Sequence, residues 1–419
     1  MKKIFYVDKE ELNLFINSSE IIKEGYGYEW ENEDVIHLHI NPVLHAYGKQ
    51  HNIVFTKNNN INSAEGYNYV IGVDCDDTSI KFVKDAQLTD VDGEINYIPA
   101  KAELYSRNKG ILEIGILENK RVMIVGLGSF GSQIAIELAK AGVGNFALFD
   151  FDRVELHNLA RHTATTKDLG RLKTDVISES IKGKNPYAKV DLFPININQH
   201  LDLMNKEVKK ADIVICATDN NESRFNLSTV LVHQQKIGIF GRAVTRAEGG
   251  DVFRYRPGGP CYCCLIGNQW FGQGQEEITS RMQLPGYMSA RDADAAIQVG
   301  LSADIEPICN MMLKITLMEL SRGSDSGISC LENELVYDYY MWANRRERRH
   351  RNWSPMPGAG AKPTIMRWYG AYIKRNDDCS LCSNSANVKL DEGDEFLSQF
   401  GKLIGKTDMS DVSISDLEE

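Results

Sequence analysis

The stretch RVMIVGLGSFGSQIAIELAKAGVGNFALFDFD, from Arg121 to Asp152, constrains the fold more tightly than any other part of this chain. A short apolar run ends at Gly126, and Gly126, Gly128 and Gly131 complete G-x-G-x-x-G as a helical pattern opens. A second apolar run then ends at Asp150. Strand, glycine turn, helix, strand and acid in this order describe a nucleotide-holding unit. The first glycine permits the tight turn, the second lets backbone approach phosphate, and the third lets helix and strand pack closely. The helix start offers unpaired N–H groups and a partial positive charge to phosphates. Asp150 stands about where the ribose-binding acid of such a site belongs. The fingerprint alone fits a dinucleotide and ATP equally.

The surrounding pattern predicts an α/β fold: a doubly wound Rossmann-like sheet carrying the glycine turn, preceded by a small α+β domain. In residues 1–100, VIHLHI, NIVFTK, YNYVIGVD and EINYIPA alternate apolar and polar residues and read as strands. Asparagine- and glycine-rich breaks such as KNNNINSAEGYN separate them. From about Ala102, strands and helices alternate. TKDLGRLKTDVISESIKGKN and NNESRFNLSTVLVHQQK read as helices, KVDLFPI and DIVICATD as strands, ADIEPICNMMLKITLMEL as an apolar helix, and ENELVYDYYMWANR and TIMRWYGAYI as late strands. The expected domains are 1–100, 101–386 with a crossover loop at about 265–302, and an acidic flexible tail at 387–419.

A chain of 419 residues is long enough for two or three domains. Its net charge of -11 argues against nucleic acid or an anionic membrane as partner. No apolar run is long enough to span a bilayer, and MKKIFYVDKEELNLF lacks the apolar core of a secretory signal, so the expected location is cytoplasmic. Nine cysteines, an odd number, do not suit a disulfide framework there. Four of them form two C-x-x-C pairs: Cys261 with Cys264 in GGPCYCCLIG, and Cys379 with Cys382 in NDDCSLCSN. Two such knuckles make a tetrahedral thiolate cage for Zn²⁺, closed and therefore structural. The register leaves one ambiguity, since Cys263 could replace Cys264.

The residues after Asp150 separate a redox cofactor from a fuel. DFDRVELHNLARHT, DLGRLKTD and ICATDN follow in that order. With the glycine turn and the cysteine pairs, they resemble the ThiF-type adenylyltransferases, the family of sulfur-carrier and ubiquitin-activating enzymes, over about residues 102–385. The resemblance implies ATP-dependent adenylation of a C-terminal carboxylate, with pyrophosphate leaving. Charge then accumulates on the phosphate oxygens, so such a site needs cations and a metal-binding acid. By resemblance, Asp150 binds the ribose, Asn158 and Arg161 face the triphosphate, Lys173 is the second phosphate cation, and Asp219 holds Mg²⁺. Asp152 lies near the site and touches substrate or metal. Arg107 matches an arginine that the family sends into the neighbouring subunit's site, which implies a homodimer. The resemblance also implies a ubiquitin-like or sulfur-carrier protein as substrate, with a conjugating enzyme as a further partner. Taken singly, Arg161 could instead pair with Glu155 or Asp152, Lys173 could be a solvated helix residue, and Asp219 could cap a helix.

In several ubiquitin-activating relatives a cysteine nucleophile sits on the loop after the first zinc knuckle, and residues 265–302 contain none. Cys309, just after Pro307 at the start of a helix, is the nearest downstream candidate; its alternative is a buried apolar cysteine of that helix, the favoured reading. A peptide-modifying adenylyltransferase of the microcin-maturation type is the main alternative function. An NAD-dependent oxidoreductase gives HNLARH, GRLK and ATDN no role, and a non-catalytic scaffold has no reason to hold the full set.

Overall fold

The computed structural model describes residues 3–30, 33–41, 48–57, 65–73, 78–84, 87–91, 93–98, 104–243, 247–267, 300–344 and 365–383. The expected crossover loop lies mostly outside these residues, and the acidic tail wholly so. The chain divides into two compact units, Met1–Arg107 and Asn108–Glu419.

The first unit is an eight-stranded mixed sheet in the order β7-β6-β5-β4-β2-β3-β1-β8. Its strands are β1 Lys3–Asp8, β2 Ile22–Trp30, β3 Val35–His39, β4 Lys49–Lys57, β5 Tyr69–Val73, β6 Thr78–Lys84, β7 Gln87–Asp90 and β8 Gly93–Ile98. Helix α1 (Lys9–Asn17) follows β1 directly. Asp8 caps it by accepting the N–H groups of Glu10 and Glu11. Leu12 and Phe15 then bury against Phe5, Val7, Ile36, Leu38, Ile53 and Phe55. The four strands expected from alternation fall on β3, β4, β5 and β8. β2 escaped that reading because Gly25 and Gly27 interrupt it, and glycine weakens a strand pattern. Gly25 is needed there, since a Cβ would stand 2.5 Å from the His39 carbonyl oxygen.

The second unit is a twisted sheet in the order β11-β10-β9-β12-β13-β14-β15-β16. β9 (Arg121–Val125), β10 (Asn145–Phe149), β11 (Lys189–Phe193), β12 (Ile213–Cys216) and β13 (Ile237–Ala243) run parallel. β14 (Gly249–Tyr255), β15 (Tyr339–Ala343) and β16 (Arg367–Ala371) extend it antiparallel. Helices α2 (Ser129–Ala141), α3 (Lys173–Lys184), α4 (Leu201–Lys210) and α5 (Asn221–Gln234) follow β9, β10, β11 and β12 in turn. α6 is Tyr262–Gly267 and α7 is Ser302–Ser321. Alternate residues of β9 enter separate cores. Val122 and Ile124 pack with Ile134 of α2, Ile177 of α3 and Met312 of α7. Met123 and Val125 pack with Met204 of α4 and Leu227 of α5. Helices therefore cover both faces, which is why these strands read as continuous apolar runs.

The order of winding matters for function. The chain passes from β9 to β10 and β11 on one side, then returns to β12 and β13 on the other. The reversal opens a crevice beyond the carboxyl ends of β9 and β12, where ligands of open α/β sheets bind. One expected helix is shorter than its sequence pattern. α3 begins only at Lys173, because Gly170 adopts φ +82° and residues 170–172 pair with Arg153 and Val154.

Candidate nucleotide crevice and four-cysteine centre

The glycine turn is built by contact rather than by propensity. Gly126 has φ +86°, and a Cβ there would lie 2.7 Å from the Ala217 carbonyl oxygen. The turn is thereby pressed against the loop leaving β12. A Cβ on Gly131 would come within 1.9 Å of the Gly126 oxygen, so α2 can approach the turn only with glycine at that position. Gly128 differs: among the described residues nothing lies within 4 Å of the Cβ position. It also occupies the N-cap of α2 and supplies no side-chain cap. The first-turn N–H groups of α2 therefore stay open to an anion.

Asp150 ends β10 beneath this turn and is buried. Its Oδ2 accepts the Leu127 N–H at 2.6 Å and its Oδ1 the Asp152 N–H at 2.8 Å. Burial pushes its carboxyl above the ordinary carboxylate value, opposed by Lys173 and those two N–H groups. Lys173 is also buried, at the first position of α3, and donates to Asp152 Oδ2 at 2.8 Å. It is therefore no solvated helix lysine. Its backbone N–H bonds the Asp152 oxygen as well, which fixes where α3 starts.

Asn158 closes the short turn Leu156–Asn158, its Oδ1 accepting the Glu155 N–H at 3.0 Å. Its backbone oxygen takes the N–H groups of Arg161 and His162. Arg161 pairs with neither Glu155 nor Asp152. Its Nε is buried without a hydrogen-bond partner among the described residues, and burial lowers its pKa. It lines a cavity of about 600 Å³ with Gln133 of α2, Thr163, and Ser302 and Cys309 of α7. A half-buried guanidinium with an idle donor is costly unless something polar reaches it.

Asp219 follows β12 and is exposed, with no hydrogen bond or ion pair among the described residues. It does not cap α5. Asn220 does, accepting the Ser223 N–H at 2.9 Å. Arg107 is exposed in the turn Ser106–Asn108, apart from this cluster in sequence and assigned to the first unit.

Two neighbours of these residues were not singled out from sequence. Arg224 of α5 is 1% exposed and donates to the Thr218 oxygen at 2.6 Å, anchoring the loop that carries Asp219. Its spacing held a signal: Arg224, Leu227 and Leu231 share one buried stripe. An arginine on such a stripe must find an acceptor. His162, next to Arg161, reaches back to the glycine turn; His Nε2 lies 2.8 Å from the Leu127 oxygen. Sequence offered no comparable signal for it.

Cys309 matches its favoured reading, a buried cysteine of the helix, and departs from the start-of-helix placement. α7 begins at Ser302, so Cys309 lies two turns inside the helix and gains nothing from its N-terminus. It is 4% exposed, and burial pushes its thiol up to about 12. Such a thiol is protonated and a poor nucleophile at neutral pH. Cys216 is buried in β12, whereas Cys330 is exposed.

Cys261, Cys264, Cys379 and Cys382 are all buried, with sulfurs within 4.8 Å of one another. The register is settled in favour of Cys264. Sγ separations are 3.9 Å for Cys261–Cys264, 3.6 Å for Cys261–Cys379 and 3.4 Å for Cys264–Cys382. Four sulfurs held tetrahedrally at about 2.3 Å from one ion stand roughly 3.8 Å apart, so the cluster fits a metal. The same distances are far too long for disulfides. The Asn376 N–H points at Cys264 Sγ from 3.4 Å, the kind of outer contact that steadies a thiolate.

The sequence profile of the ThiF family matches residues 110–324. The molybdopterin-synthase adenylyltransferase of Escherichia coli strain K12 is 35% identical over 159 residues, covering 38% of this chain and 62% of that protein. The adenylyltransferase and sulfurtransferase MOCS3 of Aedes aegypti is 32% identical over 170 residues, 39% of this chain and 38% of the relative. The match thus spans less than two thirds of either relative. The crystal structure of E. coli MccB with ATP aligns at TM-score 0.46 and 20% identity, over 64% of this chain and 68% of that one. No helix among the described residues is long and apolar enough to cross a membrane. With its profile spanning just over half of the chain and taking in the glycine turn, Asp150, Arg161, Lys173 and Asp219, the family is established: this chain belongs to the ThiF family.

Proposed function

We propose that the chain is an ATP-dependent adenylyltransferase that activates the C-terminal carboxylate of a ubiquitin-like or sulfur-carrier protein. The observation that carries this reading is the crevice at the switch point. One end offers open helix N–H groups and Gly128, where nothing among the described residues meets a Cβ. To this end the reading assigns Asp150, the Lys173–Asp152 pair, the Arg161 guanidinium, whose Nε has no partner among the described residues, and the exposed Asp219 carboxylate. A dinucleotide dehydrogenase has no use for that combination of cations and a free acid.

In this reading Asp150 takes the ribose hydroxyls, and the start of α2 takes phosphate. Lys173 and Arg161 hold the phosphate oxygens, and Asn158 contributes its amide. Asp219, held out by the Arg224 anchor, ligates Mg²⁺, which would neutralise charge on the leaving pyrophosphate. Arg107 completes the site of a second copy, making the enzyme a homodimer. The four thiolates hold a structural Zn²⁺ that ties residues 379–382 back to α6. The first unit recognises the carrier, and the compartment is the cytoplasm. With Cys309 buried and protonated, the adenylate is handed on directly, and a conjugating enzyme would be loaded by another cysteine or none.

The test is mass spectrometry of carrier proteins mixed with the enzyme, ATP and Mg²⁺. An AMP adduct on a carrier with a free C-terminus, absent with Asp219→Ala, supports the reading. Adduct formation only on short peptides selects the peptide-modifying alternative. ATP turnover to ADP without any adduct contradicts both.

A further inference from the structure

His162 is buried, uncommitted to any ligand role above, and engaged through both ring nitrogens. Nε2 lies 2.8 Å from the Leu127 oxygen, and Nδ1 lies 2.9 Å from the Ala164 N–H. A carbonyl only accepts and an N–H only donates. The two contacts therefore admit one form, the neutral imidazole with its proton on Nε2. Leu127 sits between the first two glycines of the turn, and its own N–H is held by Asp150. Ala164 lies just past Arg161, in the segment that Asn158 closes.

We propose that His162 is a positioning residue for the nucleotide. Its neutral ring fixes the glycine turn against the Asn158–Arg161 segment, so that the turn's N–H groups and the Arg161 cation serve one ligand. This inference rests on the nucleotide reading above and adds a residue and a pH dependence to it. A proton on Nδ1 would set two donors face to face at Ala164, and the segment would have to move. Burial is the largest force against that proton, and Lys173 of α3 opposes it too. The Leu127 carbonyl at Nε2 favours it, as does Asp168 from the turn Thr166–Asp168. The balance lowers the pKa of His162 below its ordinary value. The contribution is thus fully present above about pH 6.5, the ordinary histidine value, and is lost as pH falls through the lowered folded value.

The experiment measures the affinity of full-length protein for a fluorescent ATP analogue from pH 8 to pH 5 in wild type, His162→Gln and His162→Ala. Glutamine can donate to Leu127 and accept from Ala164 but does not titrate. Wild type is expected to weaken about five- to tenfold toward acid pH, as befits losing one buried hydrogen bond. His162→Gln should restore neutral-pH binding and remove that acid loss, and His162→Ala should bind weakly throughout. Imidazole ¹⁵N shifts of wild type, assigned by the glutamine variant, should show a protonated Nε2 and bare Nδ1; they decide the matter even if the alanine variant does not fold. Acid loss unchanged in His162→Gln, wild-type binding by His162→Ala, or a protonated Nδ1 at neutral pH overturns the proposal. Wild type that binds no ATP at any pH removes the nucleotide reading together with it. Wild type that binds ATP without these differences removes the His162 proposal alone.

Discussion

The second unit carries two polar centres built on opposite plans. The four-cysteine centre is closed: every sulfur is buried and turned toward the others. The residues assigned above to the nucleotide are not closed off in this way: among the described residues nothing meets a Cβ at Gly128, Arg161 Nε has no hydrogen-bond partner and Asp219 makes no hydrogen bond or ion pair. The closed set of like groups fits an ion that satisfies all of them, as a structural metal site requires. On the proposed reading, the open set of unlike groups is one that a nucleotide completes, and the contrast is the one expected between a structural site and a reacting one.

The comparison breaks most visibly at the cysteines. Cys379→Ser, or a strong chelator, is expected to destabilise the second unit by several kcal/mol. Thermal melts with and without added Zn²⁺ check this, and a melt indifferent to both would contradict a metal knot. Gly131→Ala and Gly128→Ala form the next contrast. The first drives a Cβ into the Gly126 oxygen and should cost at least about 3 kcal/mol of stability. The second meets nothing, so stability should stay within about 0.5 kcal/mol while ATP affinity falls, because the methyl stands where phosphate would approach. Denaturant melts beside ATP titrations separate the two. Arg224→Ala should cost about 2–3 kcal/mol through the lost bond to the Thr218 oxygen, and activity should fall beyond what stability explains. The smallest effect is expected at Cys309. Cys309→Ala should leave adenylation intact and shift stability by about 1 kcal/mol; loss of a carrier thioester on a nonreducing gel would reinstate it as the nucleophile.

Much of this was legible in the sequence, for reasons tied to particular residues. The glycine turn and the cysteine pairs are local patterns, so spacing alone located Gly126, Gly128 and Gly131 and both cysteine knuckles, leaving open only the choice between Cys263 and Cys264. Asp150 followed from the length of one βαβ unit. What stayed hidden depends on contacts between distant segments. The start of α3 at Lys173 is set by backbone pairing with Arg153 and Val154, which no helical periodicity shows. The contact of His162 is with Leu127, 35 residues earlier in the chain. The start-of-helix placement of Cys309 failed because Pro307 suggested a helix start, whereas α7 runs through that proline from Ser302. Capping of α5 by Asn220 rather than Asp219 is a one-residue distinction that sequence alone does not make.

The most direct test of the adenylation reading is exchange of labelled pyrophosphate into ATP, in the presence of Mg²⁺ and a panel of ubiquitin-like and sulfur-carrier proteins. Exchange that requires a carrier with a free C-terminal carboxylate, and that vanishes in Asp219→Ala while the variant melts like wild type, is the predicted result. Wild-type protein that binds ATP yet exchanges no pyrophosphate with any carrier or peptide would contradict it.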